Sequence, residues 1–347
     1  MLFFKKRILG IDFGSKFVKI IELEKSGRNL NLVNYSVTSI LWEDSSSYPL
    51  GATQLFEENL ASILKEGTKD FKTKDAIFVL PASFLFSTFF SLPNIPKKAI
   101  QETIEYESRK YIPFDSDDIE IQTKIFSLKN QYQPDKTRTA VFLVGIPNGL
   151  TEKLKTSAYI SGLNYKKGEP EFFVYEPFFY GNSGVSVLVH MDLNYSLIYL
   201  FYNGQLVFGK KLKFRLYNLI DSISKLLDTT FVKAEEFLAE KKFNIPEENK
   251  DIKDAVSVHF GSVYNEIQEE INNIADKFGF KTDGIFVSGS PTEIPGFLEF
   301  FQNCCGKIKI NALDPFSRLQ NVPNNSNILN KSPIFGGAVG ACMKYLK

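Results

Sequence analysis

The sequence predicts an α/β protein built as two related lobes around a cleft, on three observations. Its 347 residues, at about 150 per domain, make two or three packed units. Each half opens with alternating apolar segments broken by a turn, once near Leu9 and again at Val185, a weak internal duplication. Short apolar runs such as AIFVLP, AVFLVGIP and GIFVSGS alternate with segments of helical period.

In chain order, ILGIDFG, FVKIIELEK and LNLVNYSVTSI read as a three-stranded antiparallel meander, followed by a helix near Thr53 to Lys65 and the buried strand AIFVLP. From Ala82 to about Phe126 the pattern is strand, helix, strand, with Ile100, Ile104 and Tyr111 on one helical face and Pro113 as the stop. The polar KNQYQPDKTRT is expected as a hairpin loop. After AVFLVGIP come a helix, LTEKLKTSAYISG, and a strand, FFVY, leading to Glu176 and Pro177. In the second half VSVLVHMD, SLIYLFY and QLVFGKKL form strands around the turn at Asn203 and Gly204. Helices dominate Leu216 to Phe280. The chain then runs through the strand GIFVSGS, the helix PGFLEFFQNC, the strand KIKIN and a small-residue helix, PIFGGAVGACMKYL.

Composition removes several function classes. Lys plus Arg is 41 against 40 acidic residues, so the basic excess that neutralises a phosphate backbone is missing and nucleic acid is not expected as a partner. The apolar run from Ala76 to Leu92 contains Pro81 and several serines, and reads as two strands and a turn rather than a bilayer span. MLFFKKR runs straight into a strand without a secretory pattern, which places the chain in the cytosol. Cys304, Cys305 and Cys342 with His190 and His259 give no zinc spacing and read as reduced, mostly buried thiols.

The stretch LGIDFGSKFVKIIEL carries the most chemistry. Asp12 ends a strand, Gly14 lets backbone approach a ligand, and Ser15 offers an N–H and a hydroxyl beyond the turn. Such a hairpin cradles anionic oxygens while a carboxylate holds Mg²⁺, here Asp12, and Lys19 on the returning strand adds a positive charge. An ordinary tight hairpin with a solvated Asp fits the same residues. Late in the chain Gly289, between an apolar strand and a helix, permits contact with a base or ribose; a turn that simply needs glycine is the alternative.

The order of hairpin, second hairpin, late glycine turn and final small-residue helix resembles the actin-like ATPase superfamily. LGIDFGSKFVKIIEL, the segment SLPNIPKKAIQETIEYESRKYIPFDSDDIEI with Tyr111 to Phe114, VFLVGIPNGLTEKLKTSAYISGL, EFFVYEPFFYGN and DPFSRL are similar to the PilM family of type IV pilus assembly proteins. The resemblance implies an actin-like (ribonuclease H-like) two-lobed α/β fold with an inserted α+β subdomain. It implies a first core of residues 1–81 continued by 151–184 and 330–347, an insertion of 82–150, a second core of 185–215 and 281–329, and a helical subdomain of 216–280. It also implies ATP and Mg²⁺ in the cleft, with Asp12, Gly14, Ser15, Lys19, Asp192, Glu235, Gly289 and Ser290 as nucleotide-binding residues.

Against that pattern the second hairpin reads His190, Met191, Asp192, Leu193, Asn194. The cradle glycine is replaced by Asp192, which sets a carboxylate against phosphate unless a metal bridges them, and His190 replaces the carboxylate that would polarise water. A satisfied histidine at a strand end is its plainer reading. Leu238 follows Ala234 and Glu235 where the family carries an adenine-covering Lys, and Ser290 stands where a second glycine is common. These departures lead to the expectation of altered nucleotide binding without useful ATPase turnover, and no catalytic residue is assigned.

The resemblance further implies an adaptor that docks the cytoplasmic tail of a PilN-like inner-membrane protein between the first core and the insertion, other pilus platform proteins as partners, and a location peripheral to the inner membrane through them. Phe89, Phe90, Tyr106 and Tyr111 are the candidate partner-binding residues, with the insertion's own core as their alternative role. The cytoplasmic component of a type II secretion platform and a filament-forming actin-like ATPase are the competing functions.

Overall fold

The fold is taken from a computed structural model, which describes residues 6–40, 54–93, 96–112, 118–130, 133–278, 282–324 and 326–347. The alternating segments become β1 (Lys6–Phe13), β2 (Phe17–Ser26) and β3 (Asn29–Ser39), an antiparallel meander. Then come α1 (Gln54–Gly67), β4 (Asp75–Leu80), β5 (Phe86–Leu92), α2 (Lys97–Ser108), β6 (Ile119–Asn130), β7 (Gln133–Pro147), α3 (Asn148–Ile160), β8 (Asn164–Pro170) and α4 (Glu171–Val174). The second half carries β9 (Val185–Met191), β10 (Ser196–Tyr202), β11 (Gln205–Leu212), α5 (Leu216–Leu226), α6 (Phe231–Lys241), α7 (Lys250–Phe278), β12 (Thr282–Gly289), α8 (Phe297–Cys305), β13 (Ile310–Ala312), α9 (Ser326–Asn330) and α10 (Gly336–Tyr345).

The duplication is explicit in the sheets. One runs β3-β2-β1-β4-β8 and the other β11-β10-β9-β12-β13, each a meander extended by two parallel strands. Asn203 and Gly204 both take positive φ, 48° and 75°, the geometry a two-residue β10–β11 turn needs. The period of two sends alternate residues of β10 to different cores: Leu197, Tyr199 and Phe201 join a cluster shared with the first sheet, while Ile198 and Leu200 join the helices α5 to α8. α10 lies directly on β1 because both are small there; a Cβ on Gly10 would sit 2.2 Å from the Ala338 carbonyl oxygen.

Several expectations need correction. FFVY is helical, within α4 and the following residue, and the preceding polar NYKKGEP is the strand, paired as the sheet edge with β4. A four-residue apolar run does not separate a buried strand from a buried helical turn. The polar KNQYQPDKTRT is mostly strand where it is described, since β6 runs to Asn130 and β7 begins at Gln133. α2 stops at Ser108, ahead of Pro113, and Pro113 and Phe114 lie outside the described residues. Phe316, Leu319 and Ile328 pack in the cluster that the two sheets share, and Gln320 bridges Asn31 of β3.

The insertion forms a three-stranded sheet, β5-β7-β6, with α2 on one face through Ile104 against Phe90, Leu92, Val141 and Leu143. Its other face reaches both lobes. Phe142 and Val144 enter the first cluster, whereas Phe89 meets Phe208 of β11 at 5.9 Å and Lys211 Nζ donates to the Leu85 carbonyl at 2.9 Å. Among the described residues no helix is long and apolar enough to cross a membrane.

Candidate functional site

The two meander turns face each other across the cleft. Each is closed by the same bond, Gly14 N–H to the Phe17 carbonyl at 2.9 Å and Asp192 N–H to the Tyr195 carbonyl at 2.8 Å, so Asp192 occupies the place in the second turn that Gly14 holds in the first. The cleft is lined by Gly14, Phe17, Lys19, His190, Asp192, Gly289, Ser290, Glu293 and Ile334. The structure therefore brings Gly14, Lys19, Asp192, Gly289 and Ser290 together, with Asp12 and Ser15 immediately beside them.

The Asp192 carboxylate gathers the site's donors. Oδ2 accepts the Ser15 N–H at 2.8 Å; Oδ1 accepts the Leu193 N–H at 2.7 Å and the Ser290 hydroxyl at 2.6 Å. Asn194 N–H donates in return to Ser15 Oγ at 3.2 Å, tying the turns twice. Lys19 Nζ sits 2.9 Å from Asp12 Oδ2. Burial alone would raise the Asp192 carboxyl, but Lys19 and the bonds from Ser290 and Ser15 outweigh it and hold the carboxyl below its usual range. Burial likewise opposes the Lys19 ammonium, and Asp12 and Asp192 more than compensate, leaving its pKa raised.

Beneath this layer lies a polar group that the sequence did not reveal. Glu171 is buried and pushed up to about 8 by burial, then by the charge of Asp12. Ala82 N–H at 2.8 Å and the Tyr195 hydroxyl at 3.0 Å donate to its Oε2, and His190 Nε2 lies 3.5 Å from Oε1. His190 is held neutral, burial lowering it to about 4, and its Nδ1 meets the Tyr175 hydroxyl at 3.0 Å and Ser288 Oγ at 3.3 Å. Ser288 donates to the Pro333 carbonyl at 2.8 Å. His190 is a satisfied core histidine. Period two along β9 and its turn puts His190 and Asp192 on one side; for Glu171, first residue of α4, no short motif signals the role.

Other candidates change role. Gly289, at φ 98°, fits the end of β9, where a Cβ would stand 1.9 Å from the Met191 carbonyl oxygen; packing alone requires the glycine. Glu235 does not line the cleft but pairs with Lys16 of the opposite hairpin at 2.6 Å. Leu238 is fully buried on α6 and does not face the cleft.

The residues present do not fit a magnesium-bound polyphosphate. A Cβ on Gly14 would stand 2.9 Å from Lys19 Nζ and 3.0 Å from Asp192 Oδ2, so the space a phosphate oxygen would enter is already filled. The enclosed space in the cleft is about 10 Å³, far below the ~300–1,000 Å³ of small-molecule sites. Asp12, expected as the metal ligand, is buried, paired with Lys19 and packed on Gly337; no cluster of three metal-ligating side chains occurs among the described residues.

On the insertion, Phe90 is buried and stacks on Tyr111 at 5.5 Å, so it offers no partner surface; Phe89 is half-buried, packed between Phe126 and Phe208. Tyr106 and Tyr111 are exposed, at 66% and 42%. Sequence reasoning missed Ile121 and Ile125, exposed side chains whose register with Gly145 and Val141 puts them on the sheet face that α2 covers further along.

No family model and no curated protein matches the sequence. Solved structures do. The chain is similar to a structure described as a PilM-PilN type IV pilus biogenesis complex, 14% identical, covering 98% of both chains with a TM-score of 0.78. It is similar to the ethanolamine utilization protein EutJ from Carboxydothermus hydrogenoformans, 11% identical over 97% of this chain and 89% of that one, TM-score 0.55. MreB 5 of Spiroplasma citri, bound to AMPPNP, is 11% identical over 97% and 95%, TM-score 0.52. The fold of this chain is therefore that of the actin-like ATPases, shared over nearly its whole length with the PilM-PilN structure.

Proposed function

We propose that this chain is an actin-like adaptor of a type IV pilus assembly platform, holding the cytoplasmic tail of a PilN-like inner-membrane protein. The observation that carries the reading is the match to a PilM-PilN complex across 98% of both chains, insertion included. The exposed Tyr106, Tyr111, Ile121 and Ile125 support it: an extended apolar tail laid beside β6 would cover them. Other platform proteins and the inner membrane are then reached through that partner from the cytoplasmic side. The division of the chain into two cores, a helical subdomain and an insertion belongs to the same reading.

Mg·ATP, which the resemblance assigns to the cleft as a structural ligand, is not needed for this role. A filament-forming ATPase is disfavoured because His190, at the place of a water-polarising carboxylate, is buried with its ring nitrogens facing Tyr175, Ser288 and Glu171. The test is a pull-down with a synthetic PilN-like N-terminal peptide. Tyr106→Glu and Ile125→Glu should abolish capture while circular dichroism and melting stay as in the parent chain; undiminished capture removes the insertion as the docking site.

A further inference from the structure

We infer that the Asp192 carboxylate is a built-in anion standing where a nucleotide phosphate would bind, so that this chain clamps its own lobes together and takes no nucleoside polyphosphate. The inference goes beyond the adaptor reading and holds whatever the partner.

Three segments that could have supplied ligand donors spend them on this one side chain. Ser15 N–H comes from the first hairpin, Leu193 N–H from the second, and the Ser290 hydroxyl from the turn after β12. Ser15 and Leu193 are equivalent positions, each following the residue that closes its turn. In a two-lobed cleft such a pair of amides would converge on a bound anion between the lobes; here they converge on a carboxylate fixed to one of them. A carboxylate accepts two-sided hydrogen bonding much as a phosphate oxygen pair does. The arrangement needs no divalent metal, since Lys19 faces both Asp12 and Asp192.

The charge balance argues the same way. Among the described residues Lys19 is the one cation lining the cleft, already matched to Asp12, while Asp192 and Glu293 line it as well. A triphosphate entering would meet these carboxylates at short range in a poorly screened site. Unlike a bound nucleotide, the surrogate cannot dissociate or be hydrolysed. The lobes stay joined across Ser15–Asp192 and Asn194–Ser15 without any added ligand.

Hydrogen exchange on the full chain is the first test. The Ser15 and Leu193 amides should be protected in ligand-free protein and unchanged by Mg·ATP, Mg·ADP or magnesium pyrophosphate, none of which should move the melting temperature. The second test is Asp192→Gly, which vacates the anion position and restores the glycine of the first hairpin: Ser15 protection should fall, and Mg·ADP should now raise the melting temperature and bind at least about tenfold more tightly than to the parent. Asp192→Ala, which keeps the Cβ, replaces it if the glycine variant does not fold. A parent chain that binds Mg·ATP, a Ser15 amide that exchanges as freely as an open loop, or folded Asp192 variants that stay indifferent to nucleotide would each overturn the inference.

Discussion

The first and second hairpins are the same turn built twice, and their chemistry is opposite. In the first, Asp12, Gly14 and Ser15 make a bare backbone corner with an outward amide; in the second, His190, Asp192 and Leu193 supply the anion that corner accepts. One glycine-to-aspartate difference between equivalent positions changes a ligand cradle into an internal clasp. Duplicated folds place two copies of a donor set face to face, and a side chain in either copy is then close enough to satisfy both.

The comparison breaks most severely at Lys19, the cation that lets two carboxylates share the crevice. Lys19→Met leaves Asp12 and Asp192 buried without a counter-charge, at a cost of about 4 kcal/mol in urea unfolding. The Asp192 carboxyl, which Lys19 helps to hold below its usual range, should then titrate higher than in the parent. Adding Asp12→Asn should recover a large part of the loss, because the remaining charge, Asp192, keeps its three donors. A single variant as stable as the parent would mean the hairpins are not electrostatically joined.

A gentler break is pH, through Glu171 and His190 beneath the turns. Glu171 is raised from 4.5 to about 8, so its contribution is fully present below pH 4.5 and is lost as pH rises through 8. His190 is lowered from 6.5 to about 4, so its contribution is present above 6.5 and lost as pH falls through 4. Between 4.5 and 6.5 the two slopes oppose and nearly cancel. From pH 6.5 to 8 only Glu171 remains, and stability should fall by about 2 kcal/mol, one proton per molecule. Urea titrations across that window measure it, and Glu171→Gln should flatten the decline.

Much of this was legible in the sequence, and the misses have physical reasons. The meanders show because half-buried strands must alternate, and Asn203–Gly204 because few residue pairs accept two positive φ values. Gly14 to Ser15 and Asp192 stood out as one intact and one broken cradle, but bond direction was hidden: nothing in HMDLN says that the carboxylate crosses the cleft instead of pointing to solvent. Glu171 was illegible because FFVY beside it reads equally as strand or helix, and its burial depends on Ala82 and Tyr195, 89 and 24 residues away. The split between Phe89 and Phe90 was hidden for a related reason. Adjacent residues of β5 face opposite sides of its sheet, one toward α2 and the other toward Phe208 of the second lobe.

The smallest expected effect separates the clasp from its neighbour at the rim. Lys16 and Glu235 also join the two sides, with Nζ 2.6 Å from the carboxylate, yet both are partly solvated, 39% and 25% exposed in their side chains. In water the Coulomb gain is small and fixing two long side chains costs entropy, so Glu235→Gln should lower stability by less than about 1 kcal/mol and should lose even that at high salt. Ser15 amide protection should be unchanged in this variant, because its partner is Asp192 and not the rim pair. If Glu235→Gln instead released Ser15 to exchange, closure would belong to the exposed pair, and the buried carboxylate would follow from a cleft already shut.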